Sequence, residues 1–441
     1  MARFLLRRSL SLVLTLFLVS IAVFAISEIA PGNIAINSLG NTITPQQEAS
    51  FNAQNGLDQP VLTRYVRWLI GSDWQAQQLI GHPVTRIYDA TNNRTSWWGV
   101  LPDGTLYQNR TTDDGNAIIR IERRLDPTTG QPVIREVTLG EDAWTTNAEG
   151  FQVYWGVDTE GRAAMWVKGE QNEAWVLTQA SWKNTKGAPS QYIPLQYGLL
   201  RGDPGVSFRT RKPVAETIIP WTLNSLLLAG IAFVVVMPLA LLLGLIAGLN
   251  EGKFVDRFLS VTSLIATATP EFATGVFLIV IFSSWLGLLP GAVVVTSNQS
   301  ILANPAQLIL PVLTLTLIEL GYVLRITRAS MVEVMRTNYI RTATLKGLPR
   351  SRIVFKHALR NALMAPITVI ILHVNWLIGG IVVVETLFGY PGLGRYVLEA
   401  ALFKDVFAIE AAAMLLVVIA VGTQLIADVI YTYLNPRIRY A

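Results

Sequence analysis

Four ionisable residues stand inside or beside long apolar runs: Glu271, Glu319, His373 and Asp428. A charge at bilayer depth is costly, so such residues pair, face a polar cavity or line a pathway. The competing reading is an interhelical or helix-end hydrogen bond, and it is preferred for Asp428, which lies near the end of its run. Glu319 and His373 lie deeper and fit either reading. With Glu271 and Asn375 they form the candidate set for a polar path. Other chemistries find no residues to carry them. "AGLNEGKF" lacks the first glycine of a phosphate-binding loop and has Phe254 where a Ser or Thr hydroxyl is needed. H-E-x-x-H and G-x-S-x-G do not occur. Cysteine is absent, which excludes disulfides and thiolate metal sites. His82, His357 and His373 lie far apart, so no histidine-rich metal site is expected. The expectation is a chain that is not itself an enzyme and binds no metal or cofactor. If ATP drives it, another chain binds the ATP.

A second constellation is electrostatic. Arg325, Arg328, Arg336, Arg341, Lys346, Arg350, Arg352, Lys356 and Arg360 are basic, with Glu333 the one acid among them. Long apolar runs flank the stretch. Positive charge holds a loop on the cytoplasmic side, attracts anionic lipid, or docks a partner protein. Charge alone does not choose among the three.

The elements that position these residues are membrane spans. The sequence is 51% hydrophobic and 15% charged with a mean hydropathy of +0.41, well below the roughly 25% charged residues of soluble proteins. Six runs approach the ~20 apolar residues that cross a bilayer: Leu10–Ile29, Thr222–Leu249, Val261–Leu289, Gln307–Ile326, Leu363–Val384 and Ala408–Ile430. The first has a basic start like a secretory signal, but its apolar run exceeds the usual 7–15 residues, so it reads as a retained span. Pro238, Pro270 and Pro311 can bend the second, third and fourth spans. Arg3, Arg7, Arg8, Lys253, Arg257, the basic stretch, Arg437 and Arg439 fall on one face if six spans leave both termini cytoplasmic.

Residues 31–218 then lie outside. Pro31–Pro220 is polar, with 17 basic and 19 acidic residues; long domains translocate largely regardless of charge. From Ser72 to Tyr192 short β-prone runs alternate with turn dipeptides. "TSWWGVLPDGTLYQN" carries Asp103-Gly104 and "VYWGVDTEGRAAMWVKG" carries Glu160-Gly161, both hairpin signals. "NAIIRIERRL" and "QPVIREVTL" read as a further strand pair. W-G-V-x-x-[D/E]-G occurs at Trp98–Gly104 and Trp155–Gly161, as a duplicated hairpin or a coincidence. Trp97, Trp98, Trp144, Trp155, Trp166, Trp175 and Trp182 fit a ligand surface, but large rings filling a small sheet core is the preferred reading.

The fine pattern of the basic stretch separates its three readings. "MVEVMRTNYIRTATLK" has neither proline nor glycine and reads as a helix continuing the fourth span. Gly347 interrupts it, and Pro349 suits the first turn of a new helix. "RSRIVFKHALRNALM" is amphipathic. A helix, a glycine break and a second short helix make a compact projection, an order that mere retention of a loop does not need.

That projection resembles the coupling loop of ABC-importer permeases, with its E-A-A-x-x-x-G signature. Ala343 and Gly347 match the signature; Arg341, Thr342, His357 and Arg360 depart from it toward the "YIRTAxxKGL…HALRNAL" variant of dipeptide and oligopeptide permeases, first subunit of the pair. "GLDQPVLTRYVRWL", "LLRGDPGVSFRTRKPV", "VVVETLFGYPGLGRYVLEA" and "DVIYTYLNPRIRY" are similar to the same family. Roughly 120 residues between Trp68 and Leu199 have no counterpart there.

The resemblance implies a mainly α, polytopic membrane protein with six transmembrane helices of the type I ABC importer permease fold, plus a small external β-rich domain between the first and second spans. It implies an N-terminal end and first helix at 1–30, an external segment at 31–71 and the inserted domain at 72–192. A returning segment at 193–218 leads to a permease core at 219–434, with the coupling loop at 328–362 and a cytoplasmic tail at 435–441. Tyr339, Arg341, Thr342, Ala343, Gly347, Ile353, Val354, His357, Ala358, Leu359, Arg360 and Asn361 become the expected ATPase-docking residues, with Ala343, Gly347 and the apolar side of Ile353–Leu359 ahead of the arginines. The implied partners are a second permease, two ABC ATPases carrying ATP and Mg, a solute-binding protein and membrane lipid, with no nucleic acid. Within this family the solute is a peptide, nickel, glutathione or an oligosaccharide. A membrane receptor explains the β domain and the loop but not the similarity of the spans.

Overall fold

The structure is a computed structural model that describes residues 2–29, 33–89, 94–126, 131–169, 172–178, 181–295 and 301–434. The chain divides into two units. One holds residues 1–19, 218–399 and 412–441; the other holds residues 20–217 and 400–411.

The first unit is helical. Its elements are α1 (Ala2–Ile29), α6 (Val214–Leu249), α7 (Phe254–Ala268), α8 (Glu271–Leu278), α9 (Ala306–Met335), α10 (Asn338–Leu345), α11 (Arg350–Arg352), α12 (Leu359–Ala362), α13 (Met364–Leu387), α14 (Leu393–Leu402) and α15 (Val406–Leu434), of which α1, α6, α14 and α15 are shared with the second unit. Four of the described helices are long and apolar enough to cross a membrane: α1, α6, α9 and α15. The number rises to six if two bent pairs each count as one span. The expected span Val261–Leu289 is one of these pairs and is not straight. It breaks at Thr269-Pro270, and α7 and the segment Glu271–Trp285 meet at 108°. The cause is local: a residue before proline is driven from the helical region, and Thr269 sits at φ −81°, ψ 129°. Among the three prolines expected to bend spans, Pro270 stands at a break between helices, whereas α6 and α9 run on through Pro238 and Pro311.

Close helix packing in this unit relies on missing side chains. Gly244 and Gly248, one turn apart on α6, meet α9: a Cβ on either would stand 2.5 Å from Thr327 Cβ or 2.7 Å from Met331 Cβ. This is the small-xxx-small contact of membrane helices. "GLIAG" carried the signal in the sequence.

The second unit combines α2 (Ile34–Leu39), α3 (Pro45–Gln54), α4 (Val61–Ile70) and α5 (Asp73–Ile80) with eleven described strands. Thr44 and Gln47 form a reciprocal capping box at the start of α3, followed by Pro45 in the first turn. β1 (Val84–Asp89), β2 (Arg94–Val100), β3 (Leu106–Thr111), β4 (Ile118–Leu125) and β5 (Pro132–Thr138) make an antiparallel meander. β6 (Thr145–Thr146), β7 (Gln152–Val157), β8 (Arg162–Val167) and β11 (Gln191–Pro194) pair in the order β11-β8-β7-β6, and β9 (Glu173–Leu177) pairs with β10 (Trp182–Lys186). The three strand pairs read from the sequence are present as β2–β3, β7–β8 and β4–β5. Gly104 and Gly161 sit in their turns at φ +83° and +77°, where a side chain would be strained. Residues 73–80, expected in the β-rich part, are helical because Ser72–Ile80 contains no β-branched run before Ile80.

Trp97 and Trp166 are core residues, packed in separate clusters with Tyr107 and Tyr154. The α and β parts of this unit are joined by buried polar bonds. Arg162 pairs with Asp158 at 2.7 Å and donates to Gln54 Oε1 at 2.9 Å, while Gln54 Nε2 donates to Trp175 O at 2.8 Å.

Candidate functional site

The basic stretch folds as a projection with its own core. α9 does not continue unbroken into the next segment, as its lack of proline and glycine led one to expect. Thr337 is extended, at φ −74°, ψ 154°, and its hydroxyl donates back to Val334 O at 2.6 Å, closing α9. After α10, Gly347 turns the chain at φ +71° with open space around it, so the backbone angle rather than crowding calls for glycine. Pro349 precedes α11, which continues through a π-helical stretch (Ile353–Ala358) into α12. Ser330 Oγ donates to Ala362 O at 2.8 Å, and Asn361 Nδ2 to Tyr339 Oη at 2.9 Å, tying both ends of the projection down.

The burial pattern changes the roles expected of its residues. Ala343, Ile353, Val354 and Ala358 are buried together with Met331, Ile340 and Ala362, and Leu348 packs against them. These residues build the projection and present no surface to a partner. The apolar surface it does present comes from Leu345, 81% exposed, Phe355, 67% exposed, and Tyr339. Sequence reading missed Leu345 and Phe355, although Phe355 lies out of phase with the apolar side of its own helix. Arg341, Thr342, Gly347, Arg360 and Asn361 are exposed, and His357 and Leu359 half-buried.

The stretch is also less unbalanced than its sequence. Arg328 clasps Asp256 of α7, and Arg336 donates to Glu251 Oε1 at 2.6 Å. Glu251 comes from the short connection after α6 and Asp256 from the first turn of α7, 85 and 72 residues before their partners in the chain.

Of the candidate path residues, Glu319 is buried on α9 and Glu271 opens α8 directly after the Pro270 break. His373 and Asn375 are on α13, and their side chains lie outside the described residues, as does that of Asp428 on α15. A further buried acid was not singled out. Glu385, at the end of α13, is fully buried; it accepts from Ser225 Oγ and from the backbone N–H of Arg395 at 3.1 Å. Ser225 Oγ in turn accepts from Leu393 N at 2.7 Å, and Tyr390 Oη donates to Asn224 O at 2.7 Å. A carboxylate at the N-terminus of α14 satisfies its orphan N–H groups and meets the positive end of its dipole.

These parts have counterparts in known proteins. The family described as the binding-protein-dependent transport system inner membrane component matches residues 240–440, and its N-terminal companion matches residues 1–84. AppB, an oligopeptide transport system permease protein of Bacillus subtilis, is 36% identical over 253 residues, which cover 57% of this chain and 80% of that protein. DppB, the dipeptide transport system permease protein of Escherichia coli, is 31% identical over 273 residues with the same coverage. A putative peptide transport system permease protein of Brucella abortus is 34% identical over 244 residues, 55% of this chain and 78% of the relative. The chain belongs to the binding-protein-dependent transport system inner membrane component family.

It is accordingly a multi-pass inner membrane protein. The family match ends at residue 84 and resumes at residue 240, so β1–β11 fall almost wholly in the unmatched part of this inner membrane component. Among solved structures, the MetNI methionine ABC transporter in inward facing conformations aligns at TM-score 0.41 and 16% identity, covering 50% of this chain and 97% of that one.

Proposed function

We propose that this inner membrane component is the first permease subunit of an ATP-driven importer of dipeptides or oligopeptides. The observation that carries the reading is the agreement of AppB and DppB, both named as peptide permeases, over four-fifths of their length. The chain pairs with a second, related permease. Two ATPases dock on the projection of residues 339–361, and a solute-binding protein delivers peptide from outside. Both termini are cytoplasmic and residues 31–218 are external. Nucleotide-driven closure of the ATPases moves the projection as a body, because its buried apolar core ties α10, α11 and α12 to α9. The spans then switch between inward- and outward-facing states, a population shift driven by differential binding. Glu271 and Glu319, with His373 and Asn375, line the path. Within the projection, Leu345 and Phe355 join Tyr339, Arg341, Thr342, Gly347, His357, Leu359, Arg360 and Asn361 as contacts, and Ala343, Ile353, Val354 and Ala358 hold these in place.

The test is reconstitution of the complete importer in liposomes with its binding protein at saturation. ATP-dependent accumulation of a labelled tripeptide is expected. Accumulation of nickel or an oligosaccharide without any peptide uptake would replace the substrate class.

A further inference from the structure

α4, with the sequence VLTRYVRWLI, is amphipathic in an inverted sense. A helix on a water-facing surface buries its apolar stripe and sends its charges outward. Here both arginines turn inward. Arg64 pairs with Glu28 near the end of α1 and donates to Leu57 O at 3.1 Å, and Arg67 donates to Gln75 Oε1 at 3.3 Å. The outward side is apolar. Leu62, 73% exposed, Val66 and Ile70 stand four residues apart and form one exposed stripe. Two more exposed apolar side chains are tied to the end of α4. Leu200, 70% exposed, is on a 3-10 turn (Leu199–Arg201) held by Arg201 Nη2, which donates to Ile70 O at 2.9 Å. Trp74 donates its indole N–H to Gly71 O at 3.0 Å.

The covered side of α4 is seated on a membrane span. Trp68 is fully buried, and the Tyr65 and Trp68 rings meet Phe24 of α1 at 5.3 and 5.9 Å. Tyr65 Oη and Ser20 Oγ are hydrogen-bonded at 2.8 Å. Ser20, Phe24 and Glu28 lie one turn apart along the last turns of the apolar run Ser9–Glu28. Ser20 is thus about 12 Å inside the end of that run. An element packed sideways on these turns shares their depth, where water is not available to satisfy an exposed polar side chain. That accounts for the inversion: the polar groups of α4 are satisfied against protein, and the apolar ones face away from it. Ile21 and Ile26 on the same turns of α1 are exposed as well, so the apolar surface of the span continues onto α4.

We propose that the exposed stripe of α4 is a lipid contact. Phospholipid acyl chains cover Leu62, Val66 and Ile70, and α4 lies in the interfacial zone of the leaflet in which α1 ends. Trp74 suits that zone, where amphipathic rings are enriched. Under the topology proposed above this is the outer leaflet. The inference needs only the chain's place among inner membrane components, so it stands or falls apart from the peptide reading.

The chain has no cysteine, so Leu62→Cys, Val66→Cys and Ile70→Cys can each carry one bimane label, and a variant that fails to fold leaves two others. Ile26→Cys on the span and Asp113→Cys in an exposed polar turn are the lipid and water references. The full chain is placed in proteoliposomes with brominated phosphatidylcholine in both leaflets, which makes the result independent of orientation. Labels on α4 should lose about half their fluorescence to brominated lipid, as at Ile26, and be quenched about tenfold less than Asp113 by iodide on both sides of the membrane. The same pattern is expected in the complete importer. Iodide quenching equal to that at Asp113 would put the stripe in water and overturn the proposal. Protection from both quenchers, in the chain alone or in the importer, would place a protein surface on α4, either a second copy or another permease, and would overturn it equally.

Discussion

Arg328 on α9 grips Asp256 on α7 through two bonds, its Nη2 donating to Oδ2 at 2.7 Å and its Nε to Oδ1. Asp256 is 3% exposed in its side chain and also accepts from Gly252 N at 2.8 Å, so one carboxylate closes the connection after α6 and pins it to α9. Asp256→Asn keeps an acceptor for Gly252 but loses the charge. Arg328 is about a third exposed and is partly rescued by water. The cost therefore falls between a surface pair and a buried one, about 1–3 kcal/mol. A lower thermal unfolding temperature in detergent is expected. It should add less than fully to the effect of Arg328→Met, since partners in one pair are coupled.

The projection yields a sharper contrast. Leu345→Asp and Phe355→Asp change exposed side chains and should leave the unfolding temperature within a degree or so. Each should cut ATPase co-purification by roughly thirtyfold if it is a docking hot spot of about 2 kcal/mol. Ala343→Asp should do both kinds of damage, because it places a charge inside the loop core beside Ile340 and Ile353. Retained ATPase binding in both exposed variants would remove the docking role from this surface.

The contrast also marks what the sequence could reveal. Long apolar runs marked four helices long enough to span, because the bilayer demands them whatever the tertiary contacts, but not the break within Val261–Leu289; Asp103-Gly104 and Glu160-Gly161 marked two hairpins because the turns need φ > 0. The failures share one cause, which is partners distant in sequence. The excess of arginine looked unbalanced because Glu251 and Asp256 lie far upstream. The apolar face of Ile353–Leu359 looked like a docking surface because amphipathicity does not say which neighbour covers it, and here it is Met331 and Ile340 of the same projection. Glu385 passed unnoticed because its partners, Ser225 and the start of α14, come from elsewhere in the chain.

The β-rich unit should lose stability at alkaline pH. Burial pushes Tyr192 up to about 12 and raises Tyr107 and Tyr154 as well. A phenol near 10 when unfolded and higher when folded favours the folded state fully below pH 10, and that contribution fades as pH rises to about 12. For Tyr192 the rise from about 10 to about 12 corresponds to about 2–3 kcal/mol. Tyrosinate absorbance should therefore rise together with loss of tertiary structure rather than before it. Tyr192→Phe should flatten the fall in stability between about pH 10 and 12. An unchanged slope would mean that Tyr192 ionises without unfolding.

The last prediction concerns packing inside the membrane. Gly248 faces Met331 and Gly244 faces Thr327, and a side chain on either glycine would need the α6 and α9 backbones to separate. Lipid tails are as apolar as the helices, so this contact is held by close fit rather than by expulsion of water. Gly248→Leu should thus cost more than its hydrophobicity suggests, in the range of overpacking, ~1–3 kcal/mol or more. Met331 also belongs to the core of the projection, so separation of α6 from α9 there should loosen residues 340–362 as well. Hydrogen exchange is the measurement: faster exchange in α10 and Arg350–Ala362 is expected for Gly248→Leu. Gly230→Leu on the same helix, where no atom stands within 4 Å of a built Cβ, should leave that exchange unchanged.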